Sequence, residues 1–228
     1  MHDALIIAAA GTSTRFGGKN KVLEILDDKP AVIHCLDNLA SEFKAESIRL
    51  VVSQEQERNF LDVLRQYGWS HIRLVHGGAT RSESIRNALE SLPENTGLVA
   101  IHDAARPLAT KKLLEQCLEQ ARIHGAAIAA HPMTDTVKLT DKDHFAINTL
   151  DRTTLWAAET PQVARYDWLV NAFKSVKQEN ITDEAQRLEL DGHPPKIVPN
   201  TSPNYKITFP QDIEIVKYIL ENNNCLEQ

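Results

Sequence analysis

Apolar runs of strand length alternate with stretches of helical period, and that alternation limits the fold of this 228-residue chain more than any other feature. Ala4 to Ala10, Ile48 to Ser53, Ile72 to Val75, Leu98 to His102 and Ala126 to Ala130 read as buried strands. Between them Val32, Leu36, Leu39 and Phe43 fall on one helical face, as do Phe60, Leu61 and Leu64. Ile85, Ala88, Leu89 and Leu92 repeat the pattern, followed by Leu113, Leu114, Cys117 and Leu118. Strands that alternate with helices imply βαβ crossovers, hence an α/β fold with a mostly parallel sheet covered on both faces. In such sheets ligands bind beyond the carboxyl ends of the strands. The loops after Ala10, after Val75 and around His102 to Pro107 are therefore where chemistry is expected.

The segment from Pro132 to Arg152 breaks the rhythm. A short alternating run (Thr136 to Leu139), a polar turn (Thr140 to His144) and a second run (Phe145 to Leu150) predict an inserted β-hairpin. A lone hairpin is marginal in water, so it packs either on a neighbouring subunit or back on its own domain. A helix (Tyr166 to Val176), two short strands (Lys196 to Val198 and Tyr205 to Thr208) and a last helix near Pro210 follow. With no internal repeat or low-complexity linker, residues 1–228 are expected to form one domain with an arm at about 132–152.

Composition narrows the partners. With 25 Lys+Arg against 31 Asp+Glu the net charge is −6, which argues against a general nucleic-acid binder. The 42% hydrophobic content argues against disorder, and no apolar run approaches a membrane span. A chain of this mass hides roughly 70% of its unfolded surface, so its core needs no disulfide or metal staple. Cys35, Cys117 and Cys225 are odd in number and far apart, which reads as reduced thiols in the cytoplasm. The early apolar strand leaves no room for a targeting peptide, and the histidine spacing disfavours a zinc site. Within this acidic chain, the only charged residues between Asp3 and Glu24 are Arg15, Lys19 and Lys21.

That basic island lies in the first candidate loop, Ala8 to Lys21, where small residues let backbone N–H groups approach an anion. The spacing is neither the dinucleotide GxGxxG nor the P-loop; a plain solvated loop is the alternative. Gly77 to Ser84 reads as a glycine turn and helix cap, from which Arg81 and Ser84 could also touch a ligand. In His102 to Pro107, Asp103 either holds a divalent metal against phosphates or pairs with Arg106. Asp135, Thr136, Lys138, Asp151 and Arg152 surround the hairpin, and Thr160 to Gln162 follow it. Thr182, Asp183 and Glu184 read as an N-capped helix start with acids suited to its dipole. Lys206, in a short apolar strand, is expected to face a cleft or an anion, while Trp69, Trp156 and Trp168 read as packing residues.

Taken in order, HDAARP (102–107), DTVK (135–138), TPQ (160–162), TDEA (182–185) and NYKIT (204–208) resemble the 2-C-methyl-D-erythritol 4-phosphate cytidylyltransferase family. The likeness runs from Ala8 to Asp212. It implies a Rossmann-like domain and a homodimer whose hairpin arm reaches into the partner's site. It also implies a Mg²⁺-assisted reaction of CTP with methylerythritol phosphate that releases pyrophosphate. Carried over, Arg15 and Lys21 would stabilise the triphosphate, while Ala9, Ala10, Gly11, Gly78, Arg81 and Ser84 would bind the nucleotide. Asp103 would face nucleotide and metal, and Arg106 the substrate. Asp135, Thr136, Arg152, Thr160 and Lys206 would hold and aim the polyol phosphate. The family's first loop usually reads GxGxRMG followed by Pro-Lys-Gln; here it reads GTSTRFGG followed by Asn20-Lys21-Val22, so Lys19 rivals Lys21. A cytidylyltransferase for ribitol 5-phosphate and a non-catalytic nucleotide-binding relative are the competing expectations.

Overall fold

The computed structural model describes residues 2–11, 16, 20–178 and 181–223. In chain order its elements are β1 (His2–Ala8), β2 (Ile25–Leu26), β3 (Lys29–Pro30), α1 (Ala31–Leu39), β4 (Ile48–Val52) and α2 (Glu57–Gln66). There follow β5 (Arg73–His76), α3 (Arg81–Glu90), β6 (Thr96–Asp103), α4 (Lys111–His124), β7 (Ala126–Pro132), β8 (Lys138–Thr140) and β9 (Ala146–Thr149). The chain continues through β10 (Trp156–Arg165), α5 (Tyr166–Ser175), α6 (Glu184–Leu190), β11 (Lys196–Pro199) and α7 (Asp212–Asn223).

Seven strands form the central sheet in the order β11-β7-β10-β6-β1-β4-β5. All neighbours are parallel except β10, which runs antiparallel to both β6 and β7. The expected α/β fold with a mostly parallel sheet is present, and the central stretches of β1 (residues 4–7), β6 (98–101) and β7 (126–130) are apolar and buried because both faces are covered. Successive β1 residues feed opposite cores: Leu5 and Ile7 pack with α1, α2 and α4, whereas Ala4 and Ile6 pack with α3, α5 and α6. A third, smaller cluster joins Leu26, Leu108, Ile207, Ile213 and Val216.

Several details differ from the sequence reading. The strand β10 carries no strand signal in the sequence, because Glu159, Thr160 and Gln162 interrupt its apolar character. All three are buried, and each is satisfied by a partner remote in sequence. Tyr205 to Thr208 is not a strand. There Ile207 donates one backbone bond to the Ala105 carbonyl and buries its side chain, so the segment crosses the end of β6 without pairing along an edge. Leu61 is exposed and only Phe60 and Leu64 of its group enter the core. Phe43 lies beyond the end of α1 at Leu39. The helix start near Thr182 is capped by Asp183, whose carboxylate accepts from the Gln186 N–H.

The predicted hairpin is β8 and β9, a two-stranded sheet separate from the main one. Leu139, Phe145 and Ile147 are exposed on it. Among the described residues no helix is long and apolar enough to cross a membrane. Cys35 and Cys117 are free and buried.

Candidate active site

The chain leaves β1 for β4 on one side and later returns to β6 on the other. A crevice opens where the carboxyl ends of these strands diverge, as the geometry of doubly wound sheets requires. It holds a cavity of about 320 Å³ lined by Ala9, Ala10, Gly11, Lys21, Gly78, Arg81, Ser84, Asp103 and Lys206, among others. Nine residues singled out from four separate sequence segments thus meet on one wall. Arg15 and Lys19 lie outside the described residues. Lys21 lines the cavity and donates to the Ile207 carbonyl at 2.7 Å.

The small residues are there for contact. A Cβ on Gly77 would stand 2.6 Å from the Ala10 Cβ and 2.7 Å from Ser84 Oγ, closer than carbon atoms tolerate. A Cβ on Gly78 would meet the Glu83 Cβ at 2.4 Å. This close turn feeds α3, whose N-cap Thr80 accepts from the Glu83 N–H at 3.0 Å. Glu83 in turn accepts from the Ala79 N–H, and Ser84 Oγ from the Gly78 N–H. The turn and the first helical turn are therefore one hydrogen-bonded unit, and they present Arg81 toward β6.

Asp103 ends β6 and is the electrostatic centre. Arg81 donates to its Oδ1 from Nε and Nη2 at 3.3 and 3.2 Å, and Lys206 donates to Oδ2 at 2.5 Å. Burial alone would raise the Asp103 pKa, but the fields of Arg81 and Lys206 prevail and hold the carboxyl well below its usual range. The pairing with Arg106 that the sequence left open is not the one formed. Arg81 also grips Glu184, donating from Nη1 to Oε1 at 2.7 Å and Oε2 at 2.9 Å. Burial works against the Arg81 charge, yet the two carboxylates raise its pKa. Glu184 is itself pushed up by burial, with Arg81 opposing. From sequence this glutamate read only as a helix-start acid; its buried partner lies 103 residues away.

A second layer fixes the 102–106 turn. His102 is fully buried, which lowers its pKa to about 4, so the ring is neutral at pH 7. Its Nε2–H donates to the Arg106 carbonyl at 3.0 Å and its Nδ1 accepts from the Thr160 hydroxyl at 3.0 Å. That hydroxyl accepts from the Asp103 N–H at 3.1 Å. Thr160 is thus buried behind Asp103 and lines neither cavity described here. The Cys35 thiol, its pKa raised by burial first and by Asp103 second, lies under the same turn near the Ala104 and Arg106 carbonyls. Gln162 ties β10 to α6 through Asp183 and the Ala185 N–H.

Beyond Lys206 opens a second cavity of about 410 Å³, lined by Arg106, His131, Glu159, Asn200, Asn204, Tyr205 and Lys206 among others. Lys206 lines both cavities. Asp135, Thr136 and Arg152 line neither; they are exposed at the two roots of the hairpin, where Arg152 donates to the Thr134 carbonyl. Lys138 pairs across the hairpin with Thr149. Among the described residues no cluster of three or more His, Cys, Asp or Glu side chains is placed to hold a metal. Asp103 is the one carboxylate on the described wall of the first cavity, so any metal there must draw most of its ligands from the substrate.

A family model described as IspD, 2-C-methyl-D-erythritol 4-phosphate cytidylyltransferase, matches residues 4–222. An enzyme of that name from Pelotomaculum thermopropionicum is 35% identical, covering 96% of this chain and 94% of its own length. Another from Rhodopirellula baltica is 38% identical, covering 97% and 95%. Among solved structures, 4-diphosphocytidyl-2C-methyl-D-erythritol synthase from Anaerococcus prevotii superposes with a TM-score of 0.83 at 27% identity, covering 96% of this chain and 98% of that one. The Francisella tularensis 2-C-methyl-D-erythritol 4-phosphate cytidylyltransferase gives 0.79 at 29% identity, with coverages of 96% and 99%.

Proposed function

The chain belongs to the 2-C-methyl-D-erythritol 4-phosphate cytidylyltransferase family, and we infer from that premise how its two cavities divide the work. The enzyme is a nucleotidyltransferase that joins CTP to 2-C-methyl-D-erythritol 4-phosphate in non-mevalonate isoprenoid biosynthesis. The products are 4-diphosphocytidyl-2-C-methyl-D-erythritol and pyrophosphate. CTP occupies the first cavity and the acceptor approaches from the second, with Lys206 between them. That shared lysine is the observation that carries the reading.

The chemistry brings two anions together. An oxygen of the acceptor phosphate attacks the α-phosphorus of CTP, and the bond from that phosphorus to the bridging oxygen of the β-phosphate breaks. The nucleophile is already ionised near neutral pH, since a phosphate monoester has its second pKa near 6. No strong general base is required, and catalysis reduces to positioning and charge neutralisation. The neutral His102 is consistent with this, because it is enclosed and serves the turn instead of a proton transfer. Lys21, Ala9 to Gly11 and Gly78 line that cavity, where Lys21 neutralises the triphosphate and the backbone takes the nucleoside; Arg15 is given the same task as Lys21 on the family resemblance alone. Lys206 and Arg106 hold the acceptor phosphate beside the α-phosphate.

Mg²⁺ fits this site as a cofactor: one ionised carboxylate plus phosphate oxygens is the ligand set the ion prefers. Asp103 would hold it, and when bound it would neutralise charge on the triphosphate. Arg81, anchored by Glu184, fixes the Asp103 carboxylate where that ligand is needed.

The hairpin points to a homodimer. Leu139, Phe145 and Ile147 are exposed on a two-stranded sheet too small to be stable alone, and a second copy is the occupant that would cover them. Asp135, Thr136 and Arg152, which line neither cavity of their own chain, would then serve the partner's acceptor site. Buried unpaired thiols at Cys35 and Cys117 favour a cytoplasmic setting. The reaction is tested by pyrophosphate release from CTP, Mg²⁺ and methylerythritol phosphate, with UTP and ribitol 5-phosphate as controls. Release with ribitol 5-phosphate alone would transfer the enzyme to another acceptor.

A further inference from the structure

We propose that Glu159 is a positioning residue for the transfer reaction: through Asn204 it sets where Lys206 stands. The inference rests on the role given to Lys206 above.

Lys206 stands in a segment with no regular structure, yet its ammonium is placed on Asp103. Two anchors flank it. On one side Ile207 is fully buried, its N–H donates to the Ala105 carbonyl at 2.8 Å, and its carbonyl accepts from Lys21. On the other side Asn204, 5% exposed, makes three bonds. Its carbonyl accepts from Arg106 Nη1 at 2.7 Å, and its amide donates to the Thr160 carbonyl at 2.9 Å and to Glu159 Oε2 at 2.8 Å.

Glu159 is equally buried, and it gathers more than Asn204. The same Oε2 accepts from the Asn200 amide at 2.8 Å, while Oε1 lies 2.6 Å from His131 Nδ1. One carboxylate therefore ties both ends of the 200–204 turn to the end of β7. Both partners of the Asn204 amide nitrogen are pure acceptors, so its NH₂ must face them. The Asn204 Oδ1 is left buried without a hydrogen bond among the described residues. Leaving an acceptor so is unfavourable, and the amide keeps this orientation because a charged acceptor is fixed opposite its nitrogen. Without Glu159 the amide can turn over, releasing the turn that leads into Lys206.

The test uses the full-length enzyme and its Glu159→Ala, Glu159→Gln and Asn204→Ala variants, with CTP and methylerythritol phosphate. Glutamine keeps an acceptor for the two asparagines and a donor for His131 Nδ1. Glu159→Ala should lower kcat/KM for the acceptor about tenfold, the scale of a small misplacement of a reacting group. Calorimetric CTP affinity should stay within about twofold, Glu159→Gln should recover to within about threefold, and Glu159→Ala combined with Asn204→Ala should be no worse than Asn204→Ala alone. A crystal structure of unliganded Glu159→Ala should show Lys206 Nζ displaced from Asp103. Unchanged kcat/KM in Glu159→Ala, or an equal loss in the Ala and Gln variants that follows their melting temperatures, overturns the proposal. Lys206 unmoved in the crystal overturns it as well, whatever acceptor the wild-type enzyme uses; failure of the wild type to turn over methylerythritol phosphate counts only against the assigned reaction.

Discussion

Lys206 Nζ and Asp103 Oδ2 lie 2.5 Å apart across 103 residues of chain. The pair joins the tip of a central strand to a segment that pairs with no strand, and it stands where the two cavities meet. Asp103 is also held by Arg81, so it stays ionised when Lys206 is removed. Lys206→Ala should therefore fold normally and fail in turnover. A drop in kcat on the order of 10²-fold is expected, the usual consequence of losing a preorganised charge donor. Steady-state kinetics beside a thermal melt check it, and near-normal kcat would remove Lys206 from the transfer step.

The Glu184–Arg81 pair makes a different prediction, about stability. Glu184 is 3% exposed, and its removal costs Arg81 two charged hydrogen bonds while Asp103 still holds the guanidinium, a loss of about 3 kcal/mol. For a chain of this size that lowers the melting temperature by roughly 6–12 °C. Glu184→Ala should show this loss together with weakened CTP binding, because Arg81 loses its anchor beside the nucleotide. Arg81→Met combined with Glu184→Leu should recover part of the stability, with Lys206 still holding Asp103, and none of the CTP affinity. A melting temperature unchanged in Glu184→Ala would show that the pair is not buried in solution.

Legibility in the sequence followed the physics of burial. Strands β1 and β6 are readable because both faces are covered and four successive residues at the centre of each, 4–7 and 98–101, are apolar and buried. The antiparallel β10 is not, because Glu159, Thr160 and Gln162 are buried polar residues whose partners, Asn200 and Asn204, His102, and Asp183 and Ala185, are fixed only by the tertiary fold. Lys206 is a cation in an apolar segment, a pattern that calls for a cleft or an anion; the structure gives it both, since it lines the first cavity and pairs with Asp103, a candidate on another loop. Glu184 gave no such signal, since an acid in the first turn of a helix is already explained by the dipole. Its pairing with Arg81 depends on the starts of α3 and α6 lying side by side.

His102 gives stability a pH dependence. Its pKa in the folded chain, about 4, lies below the ordinary value of about 6.5, so the unfolded chain binds the proton more readily between these limits. Stability contributed by the buried neutral ring is present above about pH 6.5 and is lost as the pH falls toward 4, amounting to about 3 kcal/mol. Asp103, held below its ordinary range, gives up its contribution only at still lower pH. Glu184, held above its ordinary value, acts in the opposite direction at the acid end. Urea unfolding of EDTA-treated protein from pH 7.5 to 5 should show wild-type stability falling more steeply than that of His102→Gln. Parallel curves for the two proteins would mean that the ring is accessible to protons.

The last prediction concerns the arm. Arg152 is exposed at the root of the hairpin and lines neither cavity of its own chain. If it serves a partner's acceptor phosphate, Arg152→Ala and Lys206→Ala homodimers each keep on the order of a hundredth of wild-type turnover. A heterodimer of the two places the intact Arg152 of one chain against the intact Lys206 of the other. One of its two sites is then complete and the other lacks both groups. Random exchange makes half of the dimers mixed, so unfolding and refolding the two variants together should restore roughly a quarter of wild-type activity. Sites built within single chains give no rescue, because every site then lacks one group. If the same arm also joins two copies, Phe145→Asp with Ile147→Asp, which charges its exposed apolar side chains, should give the monomer mass in light scattering. A dimer that persists in that variant, together with absent rescue, would place the acceptor site wholly within one chain.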